Sequence, residues 1–266
     1  MNKALLILAA SVFSCASLQA ADFEIGPQDA ATPSPAPKDE PAPRAHSSSR
    51  GLPVADVPVP IAAGDVPTAY GLNKYEMRTD FSFYEGGGIL GKAYLGIFPR
   101  FSLGGAANLR GFIGSQDLRM GRDDAQVLAK LVAMEEDDAL PAVALGWDGP
   151  AYDRGEAKGL YLAVSKEVPT ALGFIQLHAG LNSANVESFV GNRDLRASAG
   201  LTGAIKNFGF FTSVDEVLHP IAPRWAAGIE GHFSPITLAL EWRDLASGRA
   251  NLPATRSLRV GWAGRF

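Results

Sequence analysis

The motif that most resembles a nucleotide-binding site is a glycine-rich run. Residues 86–92 read G-G-G-I-L-G-K and match the phosphate-binding loop G-x-x-x-x-G-K up to its lysine. The next residue is Ala93, where the motif requires a Ser or Thr that holds magnesium. The motif also requires a following helix, whereas residues 89–98 alternate like a strand. We therefore predict a glycine-rich hairpin turn and no cofactor.

Two histidines could take part in hydrolysis. Outer-membrane phospholipases and deacylases carry a His-x-Ser-Asn run on a strand, and His232 and Ser234 match it, but Pro235 replaces the asparagine. His232 shares its strand face with Glu230, which points it away from a lipid substrate, and His178 has no serine within two residues. Activation of a serine requires imidazole within hydrogen-bond reach. We predict interior, hydrogen-bonded imidazoles, no catalytic residues and no enzyme; a membrane-embedded hydrolase built on His232 and Ser234 is an alternative.

Composition argues against metal sites and nucleic-acid binding. Residues 135–138 read E-E-D-D but lack the spacing and the glycine of a calcium loop. The single cysteine, Cys15, supports neither a disulfide framework nor a cysteine zinc site. The formal net charge of −4 lacks the basic excess of nucleic-acid-binding domains. We predict no metal site and no nucleic-acid partner.

The elements that carry these residues are strands. Apolar and polar residues alternate with a period of two from Tyr75 to Phe266; residues 236–243, for example, read I-T-L-A-L-E-W-R. We predict about twelve strands from this alternation. They lie near residues 75–84, 89–98, 101–113, 124–134, 139–147, 159–167, 171–182, 195–205, 208–217, 224–233, 236–245 and 256–266.

The connections between these strands indicate a membrane barrel. Short turns alternate with long loops, apart from a short connection at residues 85–88, and this asymmetry is typical of bacterial outer-membrane barrels. After residue 20, no stretch approaches the ~18 apolar residues that a spanning helix needs. In lipid an open sheet edge would leave backbone groups unsatisfied, so the sheet must close. We predict an all-β, antiparallel up-and-down transmembrane β-barrel over residues 71–266, in contact with outer-membrane lipid.

The chain ends carry addressing signals. Residues 1–20 have the charge, apolar run and small residues of a secretory signal peptide, and lipidation at Cys15 is the competing interpretation. Residues 21–70 are rich in proline and indicate a disordered linker. Phe266 resembles the terminal aromatic signal that the barrel assembly machinery reads. With an even number of strands, the linker and the C-terminus both lie in the periplasm, where the linker acts as a spacer or binds a partner.

Charged residues on the inward face form the candidate site. We predict that the following side chains point into the lumen as a charge network: Glu76, Arg78, Asp80, Lys92, Arg110, Lys130, Arg196, Arg224, Glu230, Glu241, Arg243 and Arg259. Two interpretations compete: ion pairs that plug a narrow barrel, or a pore lining whose basic surplus favours anions. We favour the paired network, with Glu230 as the first candidate partner of Arg243.

Several segments resemble a known family. Residues 83–92 (F-Y-E-G-G-G-I-L-G-K), 140–146 (L-P-A-V-A-L-G), 159–166 (G-L-Y-L-A-V-S-K) and 241–245 (E-W-R-D-L) are similar to YjbH-like outer-membrane barrel proteins. The resemblance covers about residues 68–266. It implies an outer-membrane barrel, in some relatives linked to exopolysaccharide production or export, and hence polysaccharide partners. It supplies no catalytic residues.

Together these observations predict a non-enzymatic outer-membrane β-barrel protein. It would be a narrow channel or an accessory to exopolysaccharide export. The alternatives are the hydrolase described above and an anchoring barrel whose linker binds a periplasmic partner.

Overall fold

The computed structural model describes residues 60–64, 66–114, 117–120, 124–149, 158–183, 189, 195–217, 223–245 and 254–266. The strands are β1 (Ala62–Ala63), β2 (Val66–Pro67), β3 (Glu76–Tyr84), β4 (Gly88–Phe98), β5 (Phe101–Leu109), β6 (Ala125–Met134), β7 (Ala142–Asp148), β8 (Gly159–Pro169), β9 (Phe174–Ser183), β10 (Arg196–Ile205), β11 (Phe208–Asp215), β12 (Arg224–Phe233), β13 (Ile236–Arg243) and β14 (Thr255–Arg265). The predicted signal peptide with Cys15, linker residues 21–59 and most of the long loops lie outside the described residues.

Within the described part of the chain, β3 to β14 form one closed antiparallel barrel of twelve strands. Each strand pairs with its neighbours in sequence, and β14 closes the ring by pairing with β3, with Gly261 opposite Asp80. Closure satisfies the backbone groups of every strand on both sides. The predicted fold class is confirmed. No helix in the described ranges is long and apolar enough to cross a membrane.

Several strands differ from their predicted bounds, and in β5 and β7 the local reason is visible. β5 ends at Leu109, after which Arg110 forms an isolated bridge with Arg119 inside the connection. β7 begins only at Ala142, because the carboxylate of Asp137 accepts the backbone N–H groups of Leu140 and Ala139 at 2.7 and 2.8 Å. These hydrogen bonds hold the pKa of Asp137 below its usual range. The carboxylate of Asp137, part of the acidic run, thus stabilises the turn between β6 and β7.

The glycine-rich run forms a turn, as predicted. Gly86 and Gly87 connect β3 to β4 with φ angles of 88° and 76°, which favour glycine. A Cβ on Gly87 would overlap the carbonyl oxygen of Ile113, whose N–H donates to the Gly87 carbonyl at 2.9 Å. The chain then continues as β4, and Lys92 lies within that strand.

The barrel wall has two unlike faces. In β13, exposed apolar residues such as Leu238 and Leu240 alternate with the buried inward residues Thr237, Ala239 and Glu241. Short turns join the strands at one end of the barrel, for example at residues 99–100, 206–207 and 234–235. We call this the short-turn end and the opposite one the long-loop end.

The interior holds a segment that the sequence analysis assigned to the linker. Residues 60–64 and 66–72, here called the luminal hairpin, include β1 and β2 and pack against β9, β10 and β11 inside the barrel. Val66 and Thr68 are fully buried. The structure therefore differs from the predicted boundary at residue 70. The physical reason is that this stretch is poor in charge and made of small or apolar residues, so it can be buried in the barrel.

Candidate functional site in the barrel lumen

A single lysine holds both ends of the luminal hairpin. Lys130 lies on the inward face of β6 and is 2% exposed. Its Nζ donates to the carbonyl oxygen of Ile61 at 3.1 Å and to that of Tyr70 at 3.0 Å. Within the hairpin, the Thr68 hydroxyl contacts the carbonyl oxygens of Pro60 and Ile61 at 2.6 and 2.9 Å. The two ends of the hairpin thus lie side by side in the lumen.

A chain of hydrogen bonds on β8, β9 and β10 supports the hairpin from another side. The Ala69 N–H donates to Ser165 Oγ at 2.8 Å, and Ser165 Oγ lies 2.8 Å from His178 Nδ1. His178 Nε2 lies 3.0 Å from Thr202 Oγ1, which donates to the Gln176 amide oxygen at 3.0 Å. Because the Thr202 hydroxyl donates its hydrogen bond to Gln176, the Thr202 oxygen accepts a hydrogen bond from His178 Nε2. His178 Nδ1 in turn accepts a hydrogen bond from the Ser165 hydroxyl. His178 is therefore an interior, hydrogen-bonded imidazole, as predicted.

The acidic run 135–138 fixes the hairpin at the short-turn end. The Tyr70 hydroxyl donates to Glu136 Oε2 at 2.8 Å. The other oxygen of Glu136 accepts the Glu167 N–H at 2.8 Å and lies 3.3 Å from the Lys166 ammonium. Among the described residues, no group of three or more His, Cys, Asp or Glu side chains is placed to hold a metal ion.

Apolar contacts cover the rest of the hairpin. Ile61 and Leu72 cluster with Tyr94, Ala106 and Leu128. On the other side, Ala69 belongs to a cluster of buried residues on β6, β7 and β8; its wall members are Val132, Ala142, Ala144, Tyr161 and Ala163. One arc of the lumen, from β4 to β8, is thus largely apolar, which is unusual for a barrel interior facing water.

The opposite arc is built from ion pairs. Glu241, which is 2% exposed, contacts Arg243 Nη2 and Arg259 Nε, each at 2.8 Å, and accepts a hydrogen bond from Ser257 at 3.1 Å. Arg259 also reaches Glu230 at 3.2 Å. The first candidate partner predicted for Arg243 was Glu230. The structure instead places Glu241, two residues away on the same strand, against Arg243.

Apart from Lys130, the other basic network residues pair with acids, several of which were not predicted from the sequence. Arg78 lies 3.6 Å from Asp80. The remaining ion pairs are Lys92–Asp148 at 2.8 Å, Arg224–Asp244 at 2.7 Å, Arg196–Glu216 at 4.0 Å and Arg110–Asp124 at 3.3 Å. Lys158 pairs with Asp215. Most of the missed acids stand at or just beyond a strand end, and this position was the signal that could have identified them.

Two residues predicted to point into the lumen lie at its ends. Arg110 follows the last residue of β5 at the long-loop end, and its side chain is about half exposed. Glu76 begins β3 at the short-turn end, where its carboxylate accepts two hydrogen bonds from Asn73 at 2.9 Å. Arg110 lies beyond the end of β5, so the twofold phase does not extend to it, whereas Glu76 keeps the phase of Arg78 but stands at the end of the barrel.

The histidine considered for hydrolysis contacts Thr237 and Glu230. His232 Nδ1 lies 3.3 Å from Thr237 Oγ1, and His232 Nε2 lies 3.2 Å from Glu230. Ser234 occupies the exposed turn between β12 and β13. The imidazole of His232 therefore belongs to the luminal ion-pair arc.

The predicted assembly signal is accessible. Phe266 is 76% exposed at the short-turn end, and its N–H donates to the Tyr75 carbonyl at 3.1 Å. Its ring lies 6.5 Å from that of Trp262. The chain terminus is thus held beside the start of the barrel, with its aromatic ring free to face outward.

Comparison with known proteins gives structural neighbours only. No protein-family model and no curated protein matches this sequence. A solved structure of "KdgM porin" matches with a TM-score of 0.42 and 10% identity, over 72% of this chain and 99% of that chain. A loop L8 deletion mutant of OmpT, an outer membrane protein of Vibrio cholerae, matches with a TM-score of 0.30 and 12% identity, over 71% and 97% of the two chains.

Proposed function

We propose that this chain is a non-enzymatic outer-membrane β-barrel protein, a narrow channel that its own luminal hairpin keeps closed. The observation that carries the proposal is the burial of inward-facing polar side chains. Lys130, Gln176 and Glu241 are each at most 2% exposed although they face the lumen. In an open, water-filled lumen such side chains would be exposed. They are buried here because the hairpin and the ion pairs fill the space between the walls.

The outward face supports placement in a membrane. Exposed leucine and isoleucine side chains such as Leu238, Leu240 and Ile229 cover the middle of the wall. Exposed aromatic rings, among them Phe98 and Phe208, stand at the short-turn end. An apolar band bordered by aromatic residues fits the hydrocarbon layer and its interfaces. Because outer-membrane barrels have short turns on the periplasmic side and longer loops outside, we place the short-turn end in the periplasm.

The contacts of the hairpin with the wall are those expected of an element that can leave the lumen, more than those of a permanent part of the core. The barrel ladder is complete without it, because β14 pairs directly with β3. Among the described residues, its polar contacts with the wall run through Lys130, Ser165 and Glu136. The ion pairs of the opposite arc, in contrast, join strands of the wall to one another. Loss of the hairpin therefore opens space without breaking the ring.

Conductance across a planar bilayer tests the proposal. The refolded protein from residue 21 onward is expected to stay near zero conductance, whereas a variant lacking residues 60–72 is expected to conduct steadily. A deletion of the same length in the linker, residues 40–52, is the control and should stay closed. Suppose the variant without the hairpin folds, as judged by its heat-dependent gel mobility, yet does not conduct. Then the ion pairs close the lumen alone, and the channel proposal fails in favour of an anchoring barrel.

The exopolysaccharide role stays a prediction from the sequence. It depends on the YjbH-like resemblance of segments such as residues 83–92 and 159–166. In the structure these segments form the β3–β4 turn region and β8. A channel closed by a hairpin is compatible with an accessory role in export, and deletion of the gene followed by measurement of secreted polysaccharide would test it.

A further inference from the structure

We infer that the lumen contains a binding site for an apolar carboxylate, such as a medium-chain fatty acid, at the place now occupied by the luminal hairpin. The inference deepens the proposed function, on which it rests, because the ligand and the hairpin would compete for the same wall. Three features carry it: the partners of Lys130, the apolar surfaces on both sides of this lysine, and the pairing of the other luminal cations.

Lys130 contacts neutral oxygens where the other inward cations contact carboxylates. Its Nζ donates to the carbonyls of Ile61 and Tyr70. Among the described residues, no carboxylate lies within ion-pair distance of Lys130, whereas Lys92, Arg224 and Arg259 each contact at least one. A buried ammonium group is costly unless acceptors surround it. Departure of the hairpin removes both acceptors at once and leaves a site for an anion with two oxygens.

The surroundings of Lys130 favour an anion with an apolar body. Leu128, Lys130 and Val132 alternate on the inward face of β6, so the ammonium group stands between two apolar side chains. Leu128 belongs to the cluster that holds Ile61 and Leu72, and Val132 belongs to the cluster that holds Ala69. When the hairpin leaves, both apolar surfaces lose their cover. An alkyl chain can replace these side chains, and its carboxylate can replace the two carbonyl oxygens.

The opposite arc is a poorer place for such an anion. Arg243 and Arg259 already share the Glu241 carboxylate at 2.8 Å. A small hydrophilic anion would gain nothing from the apolar surfaces beside Lys130 and would lose its hydration there. The combination of one ammonium group and two apolar clusters therefore selects for amphiphiles with a carboxylate end.

Equilibrium dialysis of radiolabelled decanoate tests the site. The protein is refolded in a non-ionic detergent, with empty micelles as the blank, and decanol serves as the probe with the same chain length and no carboxylate. Lys130→Met should weaken decanoate binding about tenfold or more, because a hydrogen-bonded charge pair is lost, and should leave decanol binding unchanged. Lys206→Met is the control, since Lys206 is a lysine exposed in the turn between β10 and β11, and should bind decanoate like the wild type.

A disulfide that holds the hairpin in place provides a second test, which does not depend on the Lys130 variant. A Cβ on Gly200 would lie 3.6 Å from that of Val66, so Val66→Cys with Gly200→Cys should fix the hairpin to β10. The oxidised protein should lose decanoate binding and the reduced protein should regain it. Equal binding in both states, or equal binding by Lys130→Met and the wild type, would overturn the inference. The proposed function is judged separately by the conductance of the variant without residues 60–72, which requires no carboxylate.

Discussion

Glu241→Ala is expected to lower the free energy of unfolding by about 3–5 kcal/mol, the cost of breaking a buried ion pair by removing one partner. The Glu241 carboxylate contacts Arg243 and Arg259 and accepts a hydrogen bond from the Ser257 hydroxyl. Without it, two guanidinium groups on adjacent strands lose the negative charge between them. The measurement is a denaturant titration of the protein folded in lipid vesicles.

A double-mutant cycle separates the ion pairs from general damage to the wall. Adding Arg243→Met to Glu241→Ala should recover part of the lost stability, because one unneutralised charge is removed along with its partner. Glu241→Gln is the isosteric control: it keeps the hydrogen-bonding shape and loses the charge. If Glu241→Ala unfolds at nearly the wild-type denaturant concentration while ion selectivity changes, the arginines are solvated in an open pore, and the pore-lining interpretation replaces the paired network.

A charge on the outward face should be almost as damaging, but only at mid-depth. Leu240 lies near the middle of β13 and is 49% exposed, whereas Ile236 begins the same strand on the same face and is 44% exposed. Leu240→Arg should cost about 2–4 kcal/mol of unfolding free energy in lipid vesicles, and Ile236→Arg about 0–1 kcal/mol, because the penalty falls towards the interface.

The pair Leu240 and Ile236 provides its own control, since strand, face and exposure match. The same variants in detergent should differ much less, because a micelle adapts its thickness around the inserted charge. Equal losses for both variants in vesicles would mean that this face does not contact a hydrocarbon layer of fixed thickness, and the placement in a membrane would be wrong.

The barrel was predictable because each strand carries its own signal. In residues 236–243 every second residue is apolar or aromatic, and the alternation fixes both the strand and its inward face. The alternation of short and long connections then indicated a membrane barrel, and the need to satisfy backbone groups in lipid required the sheet to close. At Arg110 the same phase argument was applied beyond the end of β5, and at Glu76 the phase holds but the residue stands at the end of the barrel.

The site was less predictable because it depends on contacts between distant segments. Ser165 and His178 face each other across β8 and β9, which a search for serine near His178 in sequence could not reveal. The luminal hairpin was hidden for another reason. Composition indicates whether a segment can form its own core, whereas Val66 and Ala69 are buried in a core that the barrel wall provides. Charge-poor residues 60–72, after a more polar stretch of linker, were the available signal.

The position of the hairpin inside the lumen is tested most directly by spontaneous disulfide formation between Val66→Cys and Gly200→Cys in the folded protein, with Cys15 removed. A Cβ on Gly200 would lie 3.6 Å from that of Val66, within the range of about 3.5–4.5 Å found in disulfides. The control pairs Val66→Cys with Ile205→Cys, which is exposed on the outward face of the same strand. We expect a DTT-sensitive crosslink in nearly all molecules of the first pair and in none of the second. Free thiols at both positions of the first pair, in a barrel shown to be folded, would contradict the hairpin as the element that closes the lumen.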